Sequence, residues 1–161
     1  MSIKVGDSLP DAVFTVMTPD GPRTRTTADI FKNRKVILFG VPGAFTPTCS
    51  MNHLPGFLDK EADFKAKGID EIVVVSVNDV FVMNAWAKQS GAEGKITFLA
   101  DGSAAFAKAT GLTADLSDHG LGVRSARYSM LVNDGIVEKL NIEPSVGKAD
   151  VSGADALLGQ I

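Results

Sequence analysis

Short apolar runs separated by helix-like stretches dominate the hydrophobic pattern of this chain. Residues 35–41 (KVILFGV) and 71–77 (EIVVVSV) are rich in β-branched residues and are bounded by polar ones, which predicts two buried strands. Residues 95–101 (KITFLAD) make a weaker run that predicts a third strand. Apolar strands that alternate with helical stretches are typical of an α/β domain with parallel strands at its centre.

Turn residues predict a hairpin near each end of the chain. In residues 13–27 (VFTVMTPDGPRTRTT), the proline, aspartate and glycine at 19–21 are expected to form the first turn. In residues 127–140 (RYSMLVNDGIVEKL), the Asn-Asp-Gly sequence at 133–135 separates two apolar stretches, which strongly favours a second hairpin. The carboxyl-terminal half is therefore expected to end in antiparallel strands.

Four helices are predicted in the remaining stretches. They are expected over residues 47–67, 79–89 and 103–110 and around residues 154–159. Val80, Met83 and Ala87 share one face of the second helix, and Pro55 is expected to kink or break the first about two turns after its start. No internal repeat or linker interrupts the pattern, so we predict a single domain over residues 1–161.

Composition and charge narrow the classes of function. The 161 residues are 45% hydrophobic and 22% charged, as is usual for a folded soluble protein. Sixteen basic and nineteen acidic residues give a net charge of −3 without runs of like charge, so we expect no nucleic-acid partner. No stretch approaches the roughly 18 apolar residues that span a membrane, and the first residues lack the apolar core of a signal peptide. We therefore expect a cytoplasmic protein without a membrane partner.

Cys49 is the single cysteine of the chain. One cysteine cannot form an intrachain disulfide or supply the usual several-thiolate zinc site, and His53 and His119 add too little for a metal site. We therefore expect no metal and no other cofactor. Either Cys49 packs as a small hydrophobic residue or it performs chemistry.

The sequence before Cys49 predicts the start of a helix. Thr46 suits an N-cap and Pro47 suits the first helical position, which puts Cys49 in the first turn. The free backbone N–H groups and the helix dipole favour a thiolate there. On this position alone, a reactive thiol and an inert buried one are about equally well supported.

The residues around Cys49 resemble the active-site signature of the peroxiredoxins. Residues 42–49 (PGAFTPTC) are similar to that signature, in which Pro, three residues, Thr, two residues and Cys form the peroxide site. The longer strings at 42–57, 74–88 and 115–132 resemble the type II, or peroxiredoxin five, subfamily. The resemblance implies a thioredoxin-like fold, with a central mixed β-sheet flanked by helices and an N-terminal hairpin. It also implies reduction of hydrogen peroxide and organic hydroperoxides.

The same resemblance implies a role for each of four residues. Cys49 would attack the peroxide as a thiolate and become a sulfenic acid, Thr46 would hydrogen-bond the peroxide, and Pro42 would exclude water. Arg127 would stabilise the thiolate and the leaving oxygen, with Arg124 as its rival. Residues three apart on an extended strand point to opposite faces, so we expect at most one of these arginines to reach the sulfur and the other to be a solvated surface residue.

A resolving cysteine, which many type II members carry, is missing from this sequence. Some relatives place it in the segment that corresponds to 71–79, where this chain has Val73, Val74 and Val75 before Ser76. Oxidised Cys49 would then need an external thiol, either glutathione with glutaredoxin or a dithiol protein such as thioredoxin. The resemblance also implies a homodimer.

The two histidines and three aromatic residues leave alternatives open. His53 follows Cys49 by four residues, so on a regular helix the two could form a Cys–His couple. A cysteine hydrolase would use His53 or His119 as its base, although His119 lies in a loop where a solvated side chain is expected. A non-enzymatic thioredoxin-fold module would leave the thiol inert. Phe45, Phe81 and Trp86 are expected in the core or at an interface.

Overall fold

The computed structural model describes residues 2–161 and arranges most strands in one mixed sheet. The strands are β1 (Val13–Thr18), β2 (Gly21–Thr26), β3 (Lys35–Val41), β4 (Glu71–Ser76), β5 (Thr97–Ala100), β6 (Thr113–Leu116), β7 (Gly122–Ser125), β8 (Tyr128–Asn133) and β9 (Ile136–Ile142). Seven of them form a sheet in the order β2-β1-β5-β4-β3-β8-β9. The pairs β3·β4 and β4·β5 are parallel, and the other pairs in this sheet are antiparallel.

Helices cover both faces of this sheet. They are α1 (Thr27–Phe31), α2 (Leu54–Asp59), α3 (Glu61–Ala66), α4 (Val80–Gln89), α5 (Ala105–Thr110) and α6 (Ala154–Leu158). Alternate residues of β3 enter opposite cores: Ile37 and Phe39 pack with α2, α3, α4 and α6, whereas Val36 and Leu38 pack with α1 and α5. The central mixed sheet flanked by helices is therefore confirmed.

The predicted strands and hairpins are confirmed, each within a few residues of its expected bounds. The turn between β8 and β9 uses Asp134 at φ +51° and Gly135 at φ +77°, the left-handed conformations that a two-residue hairpin turn requires. The sequence pattern missed β6 and β7, which form a separate two-stranded sheet. These short strands are largely exposed or half-buried, so they lack the apolar pattern of a core strand.

The first predicted helix, over residues 47–67, is not continuous. Its helical backbone begins at Pro47, passes through a π-helical turn at Cys49–His53, and continues as α2 and α3 with a break at Lys60. Within the π turn, the N–H of Leu54 donates to the carbonyl of Cys49, five residues earlier. Pro55 lacks an N–H, so the wider turn lies where regular hydrogen bonding would fail. The other three predicted helices are confirmed as α4, α5 and α6.

Helix length and hydropathy bear on the question of a membrane span. Within residues 2–161, every helix is too short or too polar to cross a lipid bilayer.

Candidate active site

Cys49 lies in the first turn of the helix that follows β3, and its side chain is fully buried. The loop before it is fixed by the N–H of Ala44, which donates to Oδ1 of Asn78 over 2.9 Å. Helical hydrogen bonding starts where the carbonyl of Thr46 accepts from the N–H of Ser50 at 2.9 Å. The position of Cys49 at a helix start, predicted from the sequence, is confirmed.

The hydroxyl of Thr46 lies against two acceptors. Its Oγ1 is 2.8 Å from Sγ of Cys49 and 2.7 Å from the carbonyl oxygen of Gly43. The expected capping of the helix by this side chain is not observed, because Oγ1 is directed to the sulfur and to the preceding loop. A hydroxyl has one hydrogen, so Thr46 can donate to a thiolate, or it can donate to Gly43 while accepting from a thiol. Rotation about the Cβ–Oγ1 bond of Thr46 redirects the hydroxyl hydrogen and therefore accommodates both protonation states of Cys49.

Arg127 brings a buried positive charge to the sulfur. Only 2% of the residue is exposed, and its Nη2 donates to Sγ of Cys49 over 2.9 Å. Its Nε donates to the carbonyl of Val146 at 2.8 Å, and its Nη1 lies 2.9 Å from Nδ1 of His53. Three separate contacts thus fix the plane and the direction of the guanidinium group.

His53 is buried behind Arg127 and is held in one tautomer. Its Nε2 lies 2.9 Å from the carbonyl oxygen of Ser152, which can only accept, so Nε2 carries the proton and Nδ1 accepts from Arg127. Burial, followed by the positive charge of Arg127, lowers the pKa of His53 to about 3. The imidazole is therefore neutral at physiological pH. The Cys–His couple considered from the sequence is not formed, because the guanidinium contacts both side chains and lies between them.

The segment after β9 is far from Cys49 in the sequence, but it holds the side chains of His53 and Arg127 in place. The carboxylate of Glu143 accepts from the backbone N–H of Ser152 at 2.8 Å and from its hydroxyl at 2.5 Å. Val146 and Ser152 supply the two carbonyls that bind Arg127 and His53. These residues could not be identified from the sequence, because each acts through a backbone carbonyl or a contact that no local motif encodes.

Arg124 does not reach the sulfur, but it is not a solvated surface residue as expected. The half-buried side chain donates from Nε to the carbonyl of Leu121 at 2.8 Å and from Nη1 to those of Pro42 and Val77, at 3.4 and 3.3 Å. Only Arg127 of the two arginines contacts the sulfur, as expected, but the premise of a shared strand is wrong. Arg124 belongs to β7 in the small sheet, whereas Arg127 lies between β7 and β8, so the two do not share a strand.

Pro42 and His119 occupy very different positions. Pro42 is buried directly after β3, where its carbonyl accepts from Arg124, and its expected role in excluding water stays a prediction. His119 is exposed in a short helical turn at Ser117–His119, and the side chains that hydrogen-bond to Cys49 are those of Thr46 and Arg127. In residues 2–161, no three His, Cys, Asp or Glu side chains are grouped so that they could hold a metal ion.

The aromatic residues considered above for the core or an interface, Phe45, Phe81 and Trp86, differ in exposure. Trp86 is fully buried and donates from its indole N–H to Oγ of Ser50 at 3.1 Å. Phe45 and Phe81 are 45% and 66% exposed, so a core position is wrong for both. Trp86 thus lies one hydrogen bond from the residue next to Cys49, which makes it a natural fluorescence reporter for the site.

Known proteins resemble this chain over almost its whole length. The sequence profile of the family described as Redoxin matches residues 4–158. Peroxiredoxin-2B of Arabidopsis thaliana is 48% identical over 157 residues, which cover 97% of this chain and 96% of that protein. Reduced Prx3 from Vibrio vulnificus, solved in complex with H2O2, superposes with a TM-score of 0.93 at 45% identity, covering 98% of both chains. Peroxiredoxin 5 from Alvinella pompejana has a TM-score of 0.85 at 38% identity and covers 97% of this chain and 96% of its own. The thioredoxin-like fold is confirmed.

Proposed function

This chain belongs to the type II peroxiredoxins, which are thiol-dependent peroxidases, and we propose that Cys49 is the thiol that its reaction consumes. The observation that carries the proposal is the pair of contacts at Sγ, from Nη2 of Arg127 at 2.9 Å and Oγ1 of Thr46 at 2.8 Å. A cation and a hydroxyl donor at one sulfur favour the thiolate, which is the nucleophilic form of cysteine.

The proposed reaction is a displacement on the peroxide. Sγ of the thiolate attacks the distal oxygen of ROOH, an S–O bond forms, and the O–O bond breaks. The distal oxygen keeps its hydrogen, so Cys49 becomes a sulfenic acid and RO⁻ leaves, to be protonated from solvent. The sulfur is thereby oxidised and the peroxide is reduced to an alcohol, or to water when R is hydrogen. The solved complex of Vibrio vulnificus Prx3 with H2O2 supports peroxide as the substrate class.

The neighbouring residues have separate tasks in this proposal. Thr46 donates its hydroxyl hydrogen to the thiolate and then to the peroxide oxygen, since its Oγ1 already lies against the sulfur. Arg127 stabilises the negative charge that moves from sulfur to the leaving oxygen, and its fixed plane means that little reorganisation accompanies that movement. Pro42, buried at the end of β3, excludes water from the reacting atoms.

An external thiol completes the proposed cycle. The chain has one cysteine, so the sulfenic acid cannot be resolved within it. Because Sγ of Cys49 is fully buried, a small thiol has easier access than a protein dithiol. This favours glutathione with glutaredoxin as the reductant, with thioredoxin as the alternative. The need for such a reductant also supports a reducing compartment such as the cytoplasm as the place of action.

We propose that the chain folds as a single domain and that two chains associate as a homodimer. Phe45, Met51 and Phe81 are exposed apolar side chains, Met51 by 81%, and large exposed apolar residues are typical of association surfaces. Phe81 lies on α4, whose Trp86 packs with its ring centre 6.4 Å from that of Phe45. Sedimentation equilibrium of the protein and of Phe81→Asp tests the assembly, since the variant is expected to shift the population to monomer.

Peroxide consumption tests the proposed function. We expect the protein to consume hydrogen peroxide when glutathione and glutaredoxin are present, and we expect Cys49→Ser to consume none. Replacing this pair with thioredoxin and its reductase distinguishes the two reductants. Peroxide consumption that survives in Cys49→Ser would contradict the assignment of the thiol.

A further inference from the structure

His53 is a buried titratable residue that the proposed reaction does not use. It is 1% exposed and packs between aromatic rings, with ring centres 5.0 Å from Phe39 and 5.5 Å from Phe57. A histidine in such a place would be expected only to fill space. Both of its ring nitrogens, however, are engaged by polar groups.

These polar contacts connect Glu143 to Cys49 in sequence, through Ser152, His53 and Arg127. Glu143 accepts two hydrogen bonds from Ser152, one from its N–H and one from its hydroxyl, and so fixes that residue. The carbonyl of Ser152 accepts from Nε2 of His53, which leaves the lone pair of Nδ1 directed at Nη1 of Arg127. The other terminal nitrogen of the guanidinium, Nη2, is on the sulfur.

We propose that His53 is a positioning residue for the peroxide reaction, whose Nδ1 accepts from Nη1 of Arg127 and thereby holds Nη2 on Sγ of Cys49. This inference rests on the proposed function of Cys49. Guanidinium nitrogens are fixed in one plane, so holding Nη1 and Nε determines where Nη2 points. Val146 holds Nε and His53 holds Nη1, and together they leave one direction for the third nitrogen.

A neutral acceptor suits this task better than a carboxylate. An aspartate or glutamate beside Nη1 would orient the guanidinium equally well, but its charge would offset the positive charge that the thiolate needs. Imidazole supplies a strong acceptor without charge, provided that it stays unprotonated. The burial of His53 and its contact with Arg127 favour the unprotonated ring, because both lower its pKa.

Replacement of His53 separates positioning from packing. His53→Leu keeps most of the volume and removes the acceptor, whereas His53→Asn can place Oδ1 where Nδ1 now lies. We expect His53→Leu to slow the second-order oxidation of Cys49 by hydrogen peroxide at least about tenfold, and His53→Asn to recover most of the rate. The reaction is followed by Trp86 fluorescence in stopped flow. Equal rates for folded His53→Leu and wild type would overturn the proposal while leaving the function of Cys49 intact.

A double-substitution cycle with Arg127 tests whether His53 acts through that residue. In an Arg127→Lys background, His53→Leu is expected to cost less than about twofold, because the group that it orients is already gone. A purely structural role would give the same loss in both backgrounds, which would contradict the proposal. Failure of the proposed function would look different, since the wild type would then not react with peroxide.

Nuclear magnetic resonance of the unmodified protein provides a test that needs no variant. With nitrogen-15 label in the imidazole, we expect His53 to be the neutral Nε2–H tautomer from pH 5 to 8. A protonated ring, or the Nδ1–H tautomer, would overturn the proposal, because Nδ1 could no longer accept from Arg127.

Discussion

Arg127 donates from Nη2 to Sγ of Cys49 over 2.9 Å, although the two residues are 78 positions apart in the sequence. Both side chains are buried, so this contact lies where solvent screens charge weakly. The fold makes the contact by ending β3 before Cys49 and by placing Arg127 directly before β8, which pairs with β3.

The first prediction concerns the reactivity of Cys49. We expect iodoacetamide to alkylate Cys49 faster in the wild type than in Arg127→Gln or Thr46→Val, because Arg127 and Thr46 both contact the sulfur and favour its nucleophilic form. Alkylation rates at pH 7 measure the difference. Cys49→Ser provides the blank, and equal rates in the wild type and both variants would be the contrary result.

The second prediction separates the two arginines. Arg127→Lys should lower the rate constant for peroxide roughly 10- to 100-fold, since losing a charged hydrogen bond costs about 1.5–3 kcal/mol and each tenfold is about 1.4 kcal/mol. Arg124→Lys should stay within about threefold of wild type, because Arg124 donates to the backbone carbonyls of Leu121, Pro42 and Val77. Stopped-flow rates measure both variants. Equal losses of rate would show that the contact of Arg127 with Sγ contributes no more to the reaction than Arg124 does.

The third prediction concerns the packing that supports Arg127. An added Cβ at Gly40 would lie 2.3 and 2.6 Å from ring carbons of Tyr128, a fully packed side chain on β8. Gly40→Ala should therefore destabilise the fold by about 1–3 kcal/mol. Gly56→Ala is the matched control, since its Cβ would meet only Ala154 at 3.9 Å, and in α2 it should be neutral or stabilising by up to about 1 kcal/mol. Urea unfolding gives both values, and equal stability of the two variants would refute the packing argument.

The fourth prediction concerns the dependence of stability on pH. The pKa of His53 is lowered to about 3 in the folded protein, whereas in the unfolded chain it is near 6.5. Between these values the unfolded state binds more protons, so this group makes stability fall as pH falls from 6.5 towards 3, by up to about 1.4 kcal/mol per pH unit. His53→Asn lacks this contribution while keeping the same carboxylates.

The free energy of unfolding of wild type relative to His53→Asn should thus decrease from pH 6.5 to pH 4 and stay level above pH 7.5. Urea titrations at each pH measure it. A constant difference over the acid range would mean that His53 binds protons equally in both states.

The sequence predicted the sheet well and the site in part. The strand at Lys35–Val41 was recovered because a buried strand needs a continuous apolar run. The close approach of Thr46 to Cys49 spans three residues and is local enough for a motif to encode. The π turn at Cys49–His53 was not foreseen, since it depends on one hydrogen bond from Leu54 that no periodicity indicates.

Contacts between residues far apart in the sequence could not be predicted from it. Only the resemblance to a family identifies Arg127, because the chain changes sheets between β7 and β8 and strand periodicity does not continue from Arg124 to Arg127. His53 was considered as a partner of Cys49, but the structure places the guanidinium between them. Glu143 and Ser152 carry no motif, because their effect passes through a backbone carbonyl 99 positions from His53.

A single turnover without reductant tests whether Cys49 is the thiol that peroxide oxidises. The reduced protein is mixed with one equivalent of hydrogen peroxide without a reductant, and samples are analysed by dimedone trapping, intact mass and non-reducing electrophoresis. We expect one sulfenic acid per chain, at Cys49, which persists until glutathione converts it to a mixed disulfide or further peroxide converts it to a sulfinic acid. Quantitative conversion to a disulfide-linked dimer, with no dimedone adduct and no glutathione adduct, would show instead that the Cys49 residues of two chains resolve each other.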